Sequence, residues 1–210
     1  MSHRRRRTLI GLTLLSALCA QASFAGIVKI NVTDKSSSAA GDTIVVFDPL
    51  DSMPLPSRNS FAIDQIDKRY SPRVSVIRTG TAVAFPNSDR IRHQVYSFSP
   101  AHPFSLKLYA GSPRVEEVFD KPGLVILGCN VHDTMVAFIG VVDSPYFAKI
   151  PASGKADLDL PPGRYRLRVW HPQLRTAFEP QQIIVAREPI AIPLTVDVDA
   201  SREAAAPWPD

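Results

Sequence analysis

The nine residues "LGCNVHDTM", Leu127 to Met135, set Cys129, His132 and Met135 within seven positions in a C-x2-H-x2-M pattern. Thiolate, imidazole and thioether together are a softer donor set than zinc or calcium sites commonly use, and they point to a soft transition metal. The pattern lies between two strand-like runs, "GLVIL" and "MVAFIGVV", so a loop must present it. A trigonal copper centre takes one thiolate, two imidazoles and a weak axial thioether, so a second imidazole must come from elsewhere in the chain. His93 is the candidate. It follows "VAFPNSDRIR" and opens "HQVYSF", and the 36 positions to Cys129 leave room for strands that bring both to one end of a sandwich. His102 in "SPAHPF" and His171 in "VWHP" have no comparable partner pattern and are expected as surface or packing residues; Asp133 is expected to serve a turn.

The elements that must position these residues belong to an exported chain. "MSHRRRR" is a basic start, "TLIGLTLLSALCA" a short apolar core and "AQASFA" a run of small residues for cleavage, so residues 1–25 read as a signal peptide cut after Ala22 or Ala25. The apolar stretch is too short for a stable membrane anchor. Arg6-Arg7-Thr8-Leu9-Ile10 also satisfies a loose twin-arginine pattern, but four consecutive arginines match such a pattern by accident, and the general export route is the expectation. The leader carries four of the 24 Lys and Arg side chains, which leaves 20 against 20 Asp and Glu. A mature chain with no net charge gives no electrostatic reason for nucleic-acid binding. Cys19 leaves with the leader, so Cys129 has no intramolecular disulfide partner. A lone thiol in an oxidising compartment must be buried, paired between chains or occupied by a metal.

Apolar runs are short, rich in Val, Ile, Phe and Tyr, and closed by turn residues: "IVKINV", "TIVVF", "RVSVIRTGTAVAF", "HQVYSF", "FSLKLY", "GLVIL", "MVAFIGVV", "YRLRVW", "QQIIV" and "IAIPLTV". With 19 prolines spread along the chain, long helices have few places to form. The class is all-β, built of sandwiches. "RVEEVFD" fits a strand or one helical turn, "SSSAAGD" and "DSMPLPSRNS" read as loops or linkers, and "SREAAAPWPD" reads as a frayed tail. In "GRYRLRVW", Tyr165, Leu167 and Val169 fall on one face and Arg164, Arg166 and Arg168 on the other, the mark of a half-exposed strand whose arginine face is solvated.

Two resemblances follow from these runs. "SGKADLDLPPGRYRLRVWHP" looks like the later half of a prealbumin-like, carboxypeptidase-regulatory-like domain, and "GIVKINVTDKSSSAAGDTIVVFDPL" looks like its early hairpin. This implies a discontinuous domain, 26–57 with 144–199, around an inserted one at 58–143, with 200–210 as a tail. The inserted part resembles a cupredoxin: "FAIDQIDKRYSPRVSVIRTGTAVAFPNSDRIRHQVYSF" looks like the first strands and first histidine of a plastocyanin or amicyanin, and C-x2-H-x2-M is the short ligand loop typical of amicyanin. The resemblance implies a Greek-key sandwich holding one copper ion, with His93 and His132 as imidazole ligands, Cys129 as thiolate and Met135 as axial ligand. The whole chain is similar to exported cupredoxin-like proteins labelled methylamine utilization proteins. Where many cupredoxins have Asn after the first histidine, an aromatic two places before the cysteine and Pro before the second histidine, this chain has Gln94, Leu127 and Val131. These positions orient ligands and set the metal's electronic character.

The function implied is single-electron shuttling in the periplasm between partners such as a cytochrome c or a redox enzyme, with no enzymatic activity of its own. Copper storage or delivery, and a non-redox envelope interaction module, are the competing readings. The chain shows no nucleophile motif, recognisable carboxylate pair or phosphate-cradling glycine loop.

Overall fold

The protein is described by a computed structural model covering residues 26–51, 60–113, 115–201 and 205–209. The expected signal peptide, most of the "DSMPLPSRNS" linker and part of the tail lie outside the described residues. Strands β1 (Gly26–Asp34) and β2 (Ile44–Pro49) come first. They are followed by β3 (Ser60–Ala62), β4 (Asp64–Ile66), β5 (Arg69–Ser71), β6 (Val74–Arg78), β7 (Thr81–Ala84), β8 (Tyr96–Ser97), β9 (Phe104–Ser105), β10 (Glu117–Phe119), β11 (Gly123–Leu127) and β12 (Ala137–Val142). Strands β13 (Tyr146–Lys149), β14 (Lys155–Leu160), β15 (Gly163–Trp170), β16 (Gln181–Val185) and β17 (Ile190–Val196) close the chain. There is no helix among the described residues, in keeping with the all-β expectation, and none long and apolar enough to cross a membrane.

Two sets of sheets result. The first and last strands pair with each other: β1 lies between β14 and β17, antiparallel to one and parallel to the other, and faces a sheet ordered β13-β2-β15-β16. Strict alternation drives this packing. Val28, Ile30 and Val32 of β1, Tyr165, Leu167 and Val169 of β15, and Leu194 and Val196 of β17 point into one core while the residues between them lie on the opposite faces of their strands. The outward arginines of β15 are not a free basic stripe. Arg164 pairs with Asp51 at 2.8 Å, and Arg166 and Arg168 converge on Asp48 at 3.5 and 2.6 Å.

Strands 60–142 form the second set, ordered β10-β7-β3 and β11-β12-β6, with the small hairpins β4-β5 and β8-β9 beside them. Its core holds Ile77, Val83, Phe85, Val125, Leu127 and Ile139, and also Cys129 and Met135. The "RVEEVFD" ambiguity resolves as strand β10. Two expected strands are much shorter than their apolar runs: "HQVYSF" supplies only Tyr96 and Ser97, and "FSLKLY" only Phe104 and Ser105. Beyond that short pairing the two segments are held by isolated bridges, His93 to Tyr109 and, from β8 itself, Tyr96 to Gly128.

Where the two sets meet, the alternation disappears. Strand β12 is buried at every residue and β2 over Ile44 to Phe47, as strands covered on both faces must be. Ile44 and Val46 turn one face of β2 toward Val74, Phe138, Val142 and Trp170, while Val45 and Phe47 serve the other core. The chain end seals this joint, which corrects the frayed-tail expectation. Ala206 is buried, its carbonyl accepts the Trp170 indole N–H at 3.1 Å, and the Trp208 ring lies against Gly140 so closely that any side chain there would strike it.

Candidate metal centre

The loop between β11 and β12 presents the thiol because β11 buries Val125 and Leu127 and runs straight on to Cys129, itself 3% exposed. Within the loop the Met135 N–H donates to the His132 carbonyl at 2.9 Å, a turn that includes Asp133 and aims both flanking residues inward. His93 reaches the same point from another part of the chain. It exchanges two backbone hydrogen bonds with Tyr109, each 3.0 Å, and three residues on, Tyr96 exchanges two with Gly128 at 3.1 and 2.9 Å. The second pair lays the chain after His93 alongside the chain before Cys129, which is what brings imidazole and thiol together.

His93, Cys129 and His132 converge with one ligand atom each, all within 4.8 Å of one another. Cys129 Sγ lies 3.9 Å from His93 Nδ1, the separation of two donors that each sit about 2.0–2.3 Å from a shared ion. The His93 and His132 rings meet edge to face with centroids 5.3 Å apart. Nδ1 of His132 is buried with no hydrogen-bond partner. A buried polar atom left unpaired costs free energy, so this nitrogen asks for a ligand. Met135 is buried in the same core cluster as Cys129.

Four further groups hold the donors; of these, Asp89 and Tyr70 carried no signal in the sequence, whereas Gln94 and Val131 stood there only as departures from the common cupredoxin pattern. Asp89 Oδ2 lies 2.7 Å from His93 Nε2. A carboxylate there holds the proton on Nε2 and leaves the Nδ1 lone pair facing Cys129. Asp89 is itself fixed by the β4-β5 hairpin, whose tip residues Asp67 and Lys68 have positive φ and donate their N–H groups at 2.7 and 2.9 Å. Burial pushes the Asp89 carboxyl up, but the Lys68 amide, the His93 ring and the Asp67 amide together outweigh it and hold the group below the usual carboxylate range. Gln94 accepts from Asn130 at 2.7 Å, so the residue in the unexpected position ties the histidine segment to the cysteine loop. The Val131 N–H points at Cys129 Sγ at 3.4 Å. The Tyr70 hydroxyl donates to the Gly128 carbonyl at 2.9 Å, and burial pushes its phenol far above the usual range, so it remains a donor.

Among the described residues this is the one cluster of three or more His, Cys, Asp and Glu side chains placed to hold a metal. His102 stands apart, packed between Phe104 and Phe119 with Glu117 at 3.4 Å. His171 is buried, and its Nδ1 accepts the Gln173 N–H at 3.0 Å. The arrangement offers two nitrogens and one sulfur, the set of a soft or borderline metal.

No protein-family model matches the chain, and no curated protein does. Solved structures resemble part of it. A copper-containing nitrite reductase from Thermus scotoductus is similar over 44% of this chain and 23% of its own length, with 24% identity and a TM-score of 0.36. The chain therefore spans under a quarter of that enzyme. A purple cupredoxin from Nitrosopumilus maritimus is similar over 38% of this chain and 97% of its own, with 24% identity and a TM-score of 0.34. An oxidised amicyanin variant is similar over 39% and 81%, with 18% identity and a TM-score of 0.35.

Proposed function

We propose that the chain is an exported copper protein of the cupredoxin type that carries single electrons, holding one copper ion between His93 Nδ1, Cys129 Sγ and His132 Nδ1 with Met135 as the weak fourth donor. The observation that carries the proposal is the convergence of two imidazoles and a thiol within 4.8 Å, with a buried, unpartnered nitrogen among them. Copper bound there would supply exchange between Cu(I) and Cu(II). The chain supplies rigidity: Asp89 fixes the His93 ring, the Gln94–Asn130 pair locks the two ligand segments, and Tyr70 pins the backbone beside Cys129. Donors held this way move little when the charge on the site changes, which suits transfer without bond making. Four protein donors leave no position for substrate, so the role is a carrier and not an enzyme. Only His132 among the paired ligands is less than fully buried, and its neighbour Val131 is 47% exposed, so the His132 edge is the expected contact for a cytochrome c or another periplasmic redox partner.

The test is a Cu(II) titration of the mature chain followed by optical and electron-paramagnetic-resonance spectra and voltammetry. One equivalent of copper, an intense thiolate-to-copper band and a reversible couple are expected. Tight Cu(I) binding with no reversible couple would replace electron carriage by copper storage or delivery, and no stoichiometric copper would leave an exported interaction module.

A further inference from the structure

We infer that the free edge of β16 pairs with β16 of a second copy of the chain, antiparallel and about a two-fold axis at Ile183, joining two sheets into one. The inference is independent of the metal centre. β16 is an outermost strand of the sheet β13-β2-β15-β16, and among the described residues no strand lies on its far side. Folded chains commonly blunt such edges with charge, proline or a covering segment. The other edges of this sandwich are blunted: β14 carries exposed Lys155, Asp157 and Asp159, β17 is interrupted by Pro193, and β13 abuts β14. β16, "QQIIV", has no charge and no proline, and its Ile184 is 75% exposed.

The strand beside it fixes where the backbone groups of β16 point. The Leu50 N–H donates to the Arg164 carbonyl at 2.8 Å, so Arg164, Arg166 and Arg168 turn their backbone groups toward β2, while Gly163, Tyr165 and Leu167 turn theirs toward β16. Tyr165 stands opposite Ile183 and Gly163 opposite Val185, so the groups of Gln181, Ile183 and Val185 are used within the sheet and those of Gln182 and Ile184 point outward. A two-fold axis at Ile183 sets Gln182 opposite Ile184 of the second copy, and Ile184 opposite Gln182 of the second copy, so each outward group in the strand finds a partner. The same axis sets Glu179 against Arg187 of the second copy. Both are exposed, and neither is held in an ion pair within the described residues. An axis at Gln182 would set Ile184 against Pro180, which has no N–H, and an axis at Ile184 would part Glu179 from Arg187, so Ile183 is the favoured centre. Pro180 opens this edge and Ala186, whose carbonyl lies against Gly26, closes it. So short a contact makes a weak dimer that depends on concentration.

The experiment is sedimentation of the full mature chain from about 1 to about 500 μM, with amide hydrogen exchange measured at both ends of that range. A monomer–dimer equilibrium is expected, in which the amides of Gln182 and Ile184 gain protection at high concentration while those of Ile183 and Val185, already bonded within the sheet, do not. Ile184→Lys, at a site open to solvent, should weaken the dimer at least about tenfold, since each copy loses an apolar contact and gains a charge on the edge. Glu179→Arg should weaken it about tenfold by making both flanking pairs repulsive, and Glu179→Arg combined with Arg187→Glu should restore it. A chain that is monomeric at every concentration, or a dimer indifferent to Ile184→Lys, would overturn the pairing. A double variant as weak as Glu179→Arg alone would overturn the axis at Ile183.

Discussion

Replacing Asp89 by Asn separates the charge on the hydrogen bond to His93 from the bond itself. Oδ2 lies 2.7 Å from Nε2; crossing the imidazole ring and a donor bond of about 2 Å puts the carboxylate roughly 6–7 Å from an ion held through Nδ1. At an effective dielectric of about 20, a unit charge at that distance is worth roughly 2–3 kcal/mol. The Asp89 side chain is 13% exposed, so solvent screening trims this. A negative charge favours Cu(II) over Cu(I), and its removal raises the potential; with about 59 mV for each factor of ten in a one-electron couple, the expected rise is about 50–100 mV. Asn keeps an oxygen for Nε2–H and the Lys68 N–H, but its amide group then faces the Asp67 N–H, which donates to Asp89 Oδ1 at 2.7 Å in the parent. Losing that bond costs about 1–2 kcal/mol and lowers the melting temperature of the metal-free chain by a few degrees. Voltammetry of the copper-loaded variant at pH 7 decides the matter. A potential that falls or stays put, with the thiolate-to-copper band intact, would refute the placement of the Asp89 charge behind His93.

Three other outcomes follow from the same geometry. Met135→Gln should keep copper bound and lower the potential, since an oxygen donor stabilises Cu(II) better than a thioether; a potential that rises or is unchanged removes Met135 as a ligand. Trp208→Ala should cost about 2 kcal/mol in urea unfolding, because the half-buried ring fills the joint against Gly140 and Trp170, and it should leave the metal spectrum alone; unchanged stability would mean the chain end does not seal the joint. His171 has its pKa lowered first by burial and then by Arg73, against the opposing pull of Asp42 and a hydrogen bond to Gly41. The unfolded chain therefore takes up this proton first as pH drops below about 6.5, and stability falls as pH falls through the window down to the folded value. His171→Asn should flatten the stability slope between about pH 7 and 5, read by melting temperature; coincident slopes would exclude His171 as the cause.

The cysteine loop was legible because its donors are local: spacing alone sets Cys129, His132 and Met135 on one turn between two apolar runs. His93 was legible from its place at the mouth of a strand-like run and from resemblance, but its surroundings were not. The run "HQVYSF" has strand composition, yet the chain there bonds through single bridges to Tyr109 and Gly128, partners fixed only by tertiary packing. Asp89 gave no signal, since a carboxylate four residues before a histidine in a loop means nothing until the β4-β5 hairpin is seen to hold it. Gln94 counted as a departure in sequence and turned out to bond across to Asn130. The uniform apolar runs of β2 and β12 match strands covered on both faces, and the tail was misread because the small residues and prolines around Trp208 show no strand or helix pattern that would mark its ring as the one that fills the joint.

The order of strands along the chain bears on how the molecule assembles. Strands 60–142 find their partners within their own stretch, whereas Val28 pairs with Ile190 across almost the whole described chain, and Trp208 follows later still. Long loops raise the entropic cost of closure and slow the pairing that needs them. As the chain emerges from N- to C-terminus, every donor of the metal centre is already present when β1 and β2 are still waiting for their neighbours. The residues of the site can thus be brought together while the outer sheets are incomplete, and β17 and Trp208 act as a late latch on the joint between the two sets of sheets.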